Sequence, residues 1–236
     1  MKTSFIAALA AIITCTTAAP AFDITELESS NLTPEAHLLS KRQFTSDTYN
    51  QLTDGTACRP VTVIYARGTN QAGNVGDAAA VGPVFFNNLA SKLGGISQLA
   101  IQGVTYSASV VGFLQGGDPA GIATMTNLIS TASNTVSAAS KCPSTKIVLA
   151  GYSQGAQLVH SAAQNTTAAN AAKVAAVVVF GDPKRGQSFG SIPTAKTLTI
   201  CHSGDNICEG GIVVTSAHLN YQNDAPAAAT FVAGKV

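Results

Sequence analysis

Beyond its N-terminus this chain has no run of eighteen apolar residues, so nothing there is long enough to cross a bilayer as a helix. Charge is scarce as well. Lysine and arginine number 13, aspartate and glutamate 12, and charged residues make up only 11%; so even a balance argues against the basic surface that nucleic acid requires. Neither C-x-x-C nor His-rich spacing occurs, which argues against zinc. Internal repeats and low-complexity linkers are missing too, and the length suits one domain.

What is present begins with a secretory pattern. Lys2 precedes an apolar run from Phe5 to Ile13 that is too short for a bilayer, and small residues follow from Thr16 to Ala19. Residues 1–19 therefore read as a signal peptide and the product as soluble and extracellular. From 20 to 42 the chain turns polar and acidic, with Asp23, Glu26, Glu28 and Glu35, and ends at Lys41-Arg42, a dibasic pair that processing proteases cut. That stretch reads as a propeptide, and residues 43–236 as a single domain of 194 residues, enough for a sizeable core. This part carries 10 basic and 8 acidic residues.

Cys15 leaves with the signal, and the remaining Cys58, Cys142, Cys201 and Cys208 read as two disulfides in a secreted chain. Three connectivities are possible. Cys201 and Cys208 are close enough to close locally, which favours that pair together with Cys58–Cys142. Asn165-Thr166-Thr167 is an N-glycosylation acceptor, expected to be exposed after a helix.

Short β-branched runs bounded by Gly or Pro, Val61 to Tyr65, Lys146 to Ala150, Val174 to Phe180 and Leu198 to Cys201, read as buried parallel strands. Stretches of helical length alternate with them: Pro83 to Leu93, Gly121 to Ala139, Gln154 to Gln164. That alternation predicts an α/β fold, a parallel sheet with helices on both faces. Gly-rich segments, Arg67 to Gly82, Gly112 to Gly121, Gly181 to Gly190 and Ser203 to Gly211, are expected at the strand ends, where such sheets carry their chemistry.

The second of these strands, Lys146 to Ala150, runs into Gly151-Tyr152-Ser153-Gln154-Gly155 and then into a helical pattern. G-x-S-x-G between a strand and a helix projects the serine above the sheet on a sharp turn, with the helix N-terminus behind it. A serine hydroxyl is a weak nucleophile and needs a histidine oriented by a carboxylate, in the chain order serine, acid, histidine. His160 lies two turns into the serine's own helix and is carried away from it. His202 sits at a strand end beside Cys201. His218, in a loop after every strand, is the expected base. Among Asp182, Asp205 and Glu209, Asp205 is preferred, because it lies inside the Cys201–Cys208 loop, a bridge worth roughly 2.5 kcal/mol by loop entropy. Asp182 precedes a proline and reads as a turn residue whose carboxylate caps local N–H groups. The oxyanion donors expected are the N–H of Gln154 and a group at Thr69, although the spacing equally allows an ordinary loop with Arg67 paired at the surface.

Taken together, Tyr65-Ala66-Arg67-Gly68-Thr69, Gly73-Asn74, Val81-Gly82-Pro83, Gly151 to Gly155, Gly204-Asp205 with Cys208, and His218-Leu219 with Tyr221 resemble the fungal cutinase family, in order across the mature chain. The resemblance implies a three-layer α/β/α sandwich with a small central sheet and no large lid domain. It implies a catalytic triad of Ser153, Asp205 and His218, with Thr69 and Gln154 as the oxyanion hole, and a serine esterase that needs no cofactor or metal. Thr69 stands where the family often has Ser, and Asn206-Ile207 where it often has Leu-Val. The Gly-Tyr-Ser-Gln-Gly segment is similar to that of acetylxylan esterases as well. Two apolar stretches, Val110 to Leu114 and Ile212 to Val214, are expected to border the active-site mouth, with Ile212 and Val214 touching substrate, although their β-branched content would also suit core. The substrate expected is cutin, the plant-cuticle polyester, or a small ester. The chain is expected to be a monomer with no stable membrane association.

Overall fold

The computed structural model describes residues 43–133, 142 and 144–236. The signal-peptide and propeptide readings fall on residues 1–42 and lie outside them, as does residue 134 onward of the helix expected from Gly121 to Ala139. Five strands form one sheet: β1 (Val61–Ala66), β2 (Leu99–Gly103), β3 (Lys146–Tyr152), β4 (Val174–Phe180) and β5 (Thr197–Ile200). Their order is β2-β1-β3-β4-β5, and every neighbouring pair is parallel. Around them run α1 (Val81–Lys92), α2 (Val110–Leu114), α3 (Pro119–Ser133), α4 (Gln154–Asn165), α5 (Ala168–Lys173) and α6 (Ala225–Ala233).

The three layers follow from side chains alternating along each strand. Val61, Val63 and Tyr65 of β1 and Val148 and Ala150 of β3 point to one face, where Phe85, Phe86 and Leu89 of α1 and Ala228 and Val232 of α6 cover them. Ile64 and Ala66 of β1 and Ile147 and Leu149 of β3 point to the other, under Met125 and Ile129 of α3 and Leu158 and Val159 of α4. Covered on both faces, β1 is buried along its whole length, which is why it reads as an apolar, β-branched run interrupted only by Thr62, whose hydroxyl bonds to Thr145. Edge-to-face contacts lock α1 onto the sheet: Tyr65 meets Phe86 at 5.2 Å and 90°, and Phe85 meets Phe180 at 5.9 Å. Each fully buried aromatic or aliphatic side chain in these layers contributes about 1.5–3 kcal/mol.

The α/β/α sandwich is as expected, with corrections in detail. Strand β2, Leu-Ala-Ile-Gln-Gly, is absent from the sequence reading because Gln102 and Gly103 interrupt its apolar run. Gln102 is nonetheless buried, its Oε1 accepting from Leu52 N–H and its Nε2 donating to the Gly103 carbonyl. Segments 67–82, 181–190 and 203–211 do follow strand ends, but Gly112 to Gly121 does not. Gly112 belongs to α2, whose start is capped by the Ser109 side chain, and the segment runs on into α3. The disulfides join Cys58 to Cys142 and Cys201 to Cys208. Asn165 is exposed at the last position of α4. Among the described residues no helix is long and apolar enough to cross a membrane.

Candidate active site

Strand β3 delivers Ser153 into a sharp turn before α4. Its backbone stands at φ 56° and ψ −119°, a conformation that non-glycine residues adopt only under constraint, at a cost of about 1–3 kcal/mol. The surroundings impose it. Ser153 N–H donates to the Phe180 carbonyl at 2.9 Å, and α4 begins so close to β1 that a Cβ on Gly155 would lie 1.9 Å from the Ala66 carbonyl oxygen. Only glycine lets the helix start there. Ser153 is thereby held at the carboxyl end of the sheet with 7% of its surface exposed.

Three side chains then form a line. Ser153 Oγ is 2.9 Å from His218 Nε2, and His218 Nδ1 is 2.8 Å from Asp205 Oδ2. His218 ends a short 3-10 turn, Ser216–His218, and is buried against the Tyr152 ring, stacked at 5.2 Å, while Tyr152 O–H donates to the His218 carbonyl at 2.7 Å. Burial and the nearby Asp205 charge push the Tyr152 phenol up to about 12, so it stays a donor. Beneath the imidazole lies Gly181 at φ +56°, where a Cβ would sit 2.8 Å from His218 Cε1.

Asp205 is fully buried and completely bonded. Its Oδ1 accepts from Ile207 N–H at 3.0 Å, and its Oδ2 accepts from His218 and from Tyr221 O–H at 2.6 Å. Burial by itself would raise this carboxyl, but the bonds from His218 and Tyr221, the His218 charge and the Ile207 amide outweigh it and hold the group below the usual carboxylate range. The Cys201–Cys208 bridge spans the loop that presents it.

The region proposed from spacing for an oxyanion is also assembled. Gln154 opens α4, so its N–H has no carbonyl within the helix. Its side-chain Nε2 donates to Thr69 Oγ1 and to the Ser109 carbonyl, both at 2.8 Å. Because Thr69 Oγ1 accepts there, its own hydrogen is left to donate elsewhere. Arg67, expected in the alternative reading to be paired at the surface, is buried instead. It is 7% exposed, lies over the Tyr106 ring, and donates to the carbonyls of Gln71 and Tyr106. Replacing Thr69 with Val should lower kcat on a soluble ester by about a hundredfold, with little change in KM and substantial recovery in Thr69→Ser; a change confined to KM would remove Thr69 from this role.

The other acids and histidines lie elsewhere. Asp182 caps the Lys184 N–H at 2.8 Å, as a turn residue should, but its Oδ2 also meets His160 Nε2 at 2.9 Å. Both partners are fully buried, and His160 stacks on Phe189 at 3.9 Å, so His160 is a core residue carried away from the serine. Glu209 ends the 3-10 turn Asn206–Glu209. Residue chemistry along the chain does not single out Tyr221 and Tyr152. The available signal was that a buried tyrosine needs a partner for its hydroxyl.

The apolar stretches are not core. Among the described residues the exposed large hydrophobics are Val110, Val111, Leu114, Ile212, Val213, Val214 and Leu219, at 53–68% exposure. All seven belong to the two stretches beside the site or adjoin His218. Helix α2 is tied to the serine's helix by Gln157 Nε2 donating to the Phe113 carbonyl, and Asn206 Oδ1 accepts from Val213 N–H, pinning the second stretch to the loop of Asp205.

A family model described as Cutinase matches residues 57–236. The chain is 49% identical to a cutinase of Monilinia fructicola over 179 residues, 76% of this chain and 84% of that one. It is similarly related to a cutinase of Pyricularia oryzae, 45% identical over 84% of this chain and 91% of that one. Among solved structures, a Trichoderma reesei cutinase in complex with a phosphonate inhibitor matches with a TM-score of 0.71 and 42% identity, covering 89% of this chain and 86% of that one. An acetylxylan esterase matches at a TM-score of 0.58 and 22% identity, a likeness of fold alone.

Proposed function

This chain belongs to the cutinase family and is a carboxylic ester hydrolase, and we propose that it works through Ser153, His218 and Asp205 on aliphatic polyester at a surface. The observation that carries this reading is the continuous line from Ser153 Oγ through His218 to the buried Asp205. His218 Nε2 takes the serine proton as Oγ attacks the ester carbonyl. The oxyanion is met by the Gln154 N–H and the Thr69 hydroxyl. His218 returns the proton to the departing alcohol, and a water, activated by the same nitrogen, then releases the acid and frees Ser153. Asp205 keeps the proton on Nδ1, so that Nε2 faces the serine as an acceptor.

Cutin is the substrate this surface favours. Each methylene that a chain buries against Val111, Leu114, Ile212 or Val214 gains about 0.8 kcal/mol, whereas an acetylated sugar gains little there. Secretion is supported by the leader's sequence pattern, and a monomer by the same exposed rims being needed for polymer. Release of hydroxy fatty acids from cutin, alongside turnover of p-nitrophenyl butyrate, is the test; release of acetate from acetylated xylan without action on cutin would overturn the substrate. The rims make a separate prediction. Val111→Asp with Ile212→Asp should cut polymer hydrolysis at least about tenfold while leaving turnover of a soluble short-chain ester within about threefold. Equal losses on both substrates would show that the rims serve the reaction centre and not polymer contact.

A further inference from the structure

Next to the reaction centre stands a second histidine–aspartate pair that the proposed mechanism does not use. His202 Nε2 is 2.7 Å from Asp224 Oδ2, and His202 Nδ1 is 2.8 Å from the Ala217 carbonyl oxygen. Both ring nitrogens therefore face acceptors. A neutral imidazole has one N–H and would leave one of these contacts without a hydrogen; only the imidazolium satisfies both. Ala217 immediately precedes His218 in the same turn. Asp224 precedes α6 and makes no capping bond with its side chain, so its carboxylate is available to the histidine. The His202 ring lies flat on Tyr221 at 4.0 Å and 16°, and His202 N–H donates to the Tyr221 hydroxyl, which in turn donates to Asp205.

We propose that His202 is a positioning residue for His218: its imidazolium, held between Asp224 and the Ala217 carbonyl, anchors the turn that carries the base, and loss of that charge at alkaline pH lowers turnover. This rests on the reading of His218 as the base for Ser153. The titratable groups around His202 are Asp224 at the start of α6, Tyr221 against the ring, Asp205 reached through Tyr221, and His218 one residue beyond Ala217. Partial burial works against the charge, but the Ala217 carbonyl, the Asp224 carboxylate and Asn220 outweigh it and raise the group above its ordinary value. The sign follows: a histidine raised on folding contributes its stabilisation in full below its unfolded pKa and loses it as pH rises through the folded value. The alkaline limb of the activity profile belongs to His202, which must be charged.

Three variants separate this from a merely structural role. His202→Ala loses both contacts, and kcat on p-nitrophenyl butyrate should fall about tenfold with KM little changed. His202→Asn places an amide N–H near the Nδ1 position without a charge, so it should recover part of that loss and show no alkaline decline. Asp224→Asn removes the partner charge and should move the alkaline limb about one pH unit toward acid. The rate of Ser153 labelling by a fluorophosphonate should follow the same profiles. If wild type labels at Ser153 but the profiles of all variants superimpose after scaling, the positioning role is refuted while the nucleophile stands. If wild type does not label at all, the reading of Ser153 fails and this inference falls with it. Imidazole 15N spectra of the unaltered protein give a check free of folding defects: both His202 nitrogens should be protonated at pH 7, and a neutral ring there overturns the proposal.

Discussion

Ser153→Ala should lower kcat on p-nitrophenyl butyrate by about 10⁶-fold, the scale on which a serine acting in concert with its histidine is lost. Such a variant keeps the oxyanion donors at Gln154 and Thr69, so a residue of catalysis above the uncatalysed rate should remain. Its fold should survive. The side chain makes one hydrogen bond, to His218, and alanine inherits the same strained backbone at φ 56°. Ser153→Gly should be equally inactive but more stable, because glycine adopts that conformation without the steric cost of a Cβ. Melting temperatures and fluorophosphonate labelling, measured beside turnover, check both statements. Activity above about one-hundredth of wild type in Ser153→Ala would mean that another group attacks the ester.

Asp205→Asn should cost about 10⁴-fold in kcat, while Asp182→Asn should leave kcat nearly unchanged. In the first variant an amide can turn its N–H₂ toward His218 Nδ1, which favours the tautomer with its proton on Nε2, facing Ser153 with a donor where an acceptor is needed. The Tyr221 hydroxyl also loses a charged acceptor at 2.6 Å. Because the Asp205 carboxyl is held low on folding, it contributes stability above its unfolded pKa and loses it as pH falls through the folded one. Asp205→Asn should therefore lessen the acid sensitivity of folding even as it removes activity. Asp182 tells the opposite story. It is fully buried against His160, and weakening that pair should cost about 1–3 kcal/mol of stability with the reaction centre intact. Parallel measurement of kcat and urea midpoints decides between them; an inactive Asp182→Asn beside a normal Asp205→Asn would reverse the assignment.

Much of the fold is legible along the chain because it rests on local pattern. Four of the five strands announce themselves as short β-branched runs: the central strands are covered on both faces and are mostly apolar, and the half-buried edge strand β5 keeps the β-branched character. Strand β2 does not, because Gln102 is buried through hydrogen bonds made by residues some fifty positions away, which no window on the sequence contains. Helix α6, Ala-Pro-Ala-Ala-Ala-Thr-Phe-Val-Ala, carries no clear polar face and is helical because α1 and β4 receive its small residues. The apolar stretches 110–114 and 212–214 are undecidable by composition. Whether a valine is core or rim depends on what lies opposite it in space.

The same division runs through the site. By itself the sequence determines the reaction type, because a serine between two glycines, set between a strand and a helix, is a local arrangement with one chemical use. It narrows the acid and the base by chain order. It cannot show that His160, His202 and His218 each meet an aspartate, at 2.9, 2.7 and 2.8 Å. The partners are 22, 22 and 13 residues apart, and the contacts differ in the nitrogen used and in what the other nitrogen faces: His160 and His202 meet their aspartates through Nε2 and turn Nδ1 to a carbonyl, whereas His218 meets Asp205 through Nδ1 and turns Nε2 to Ser153 Oγ. Which pair lines up with Ser153 is decided by the packing of β3, β4 and β5 side by side, because that packing sets the loop of Asp205 at the strand ends beside Ser153, where His218 bridges the two.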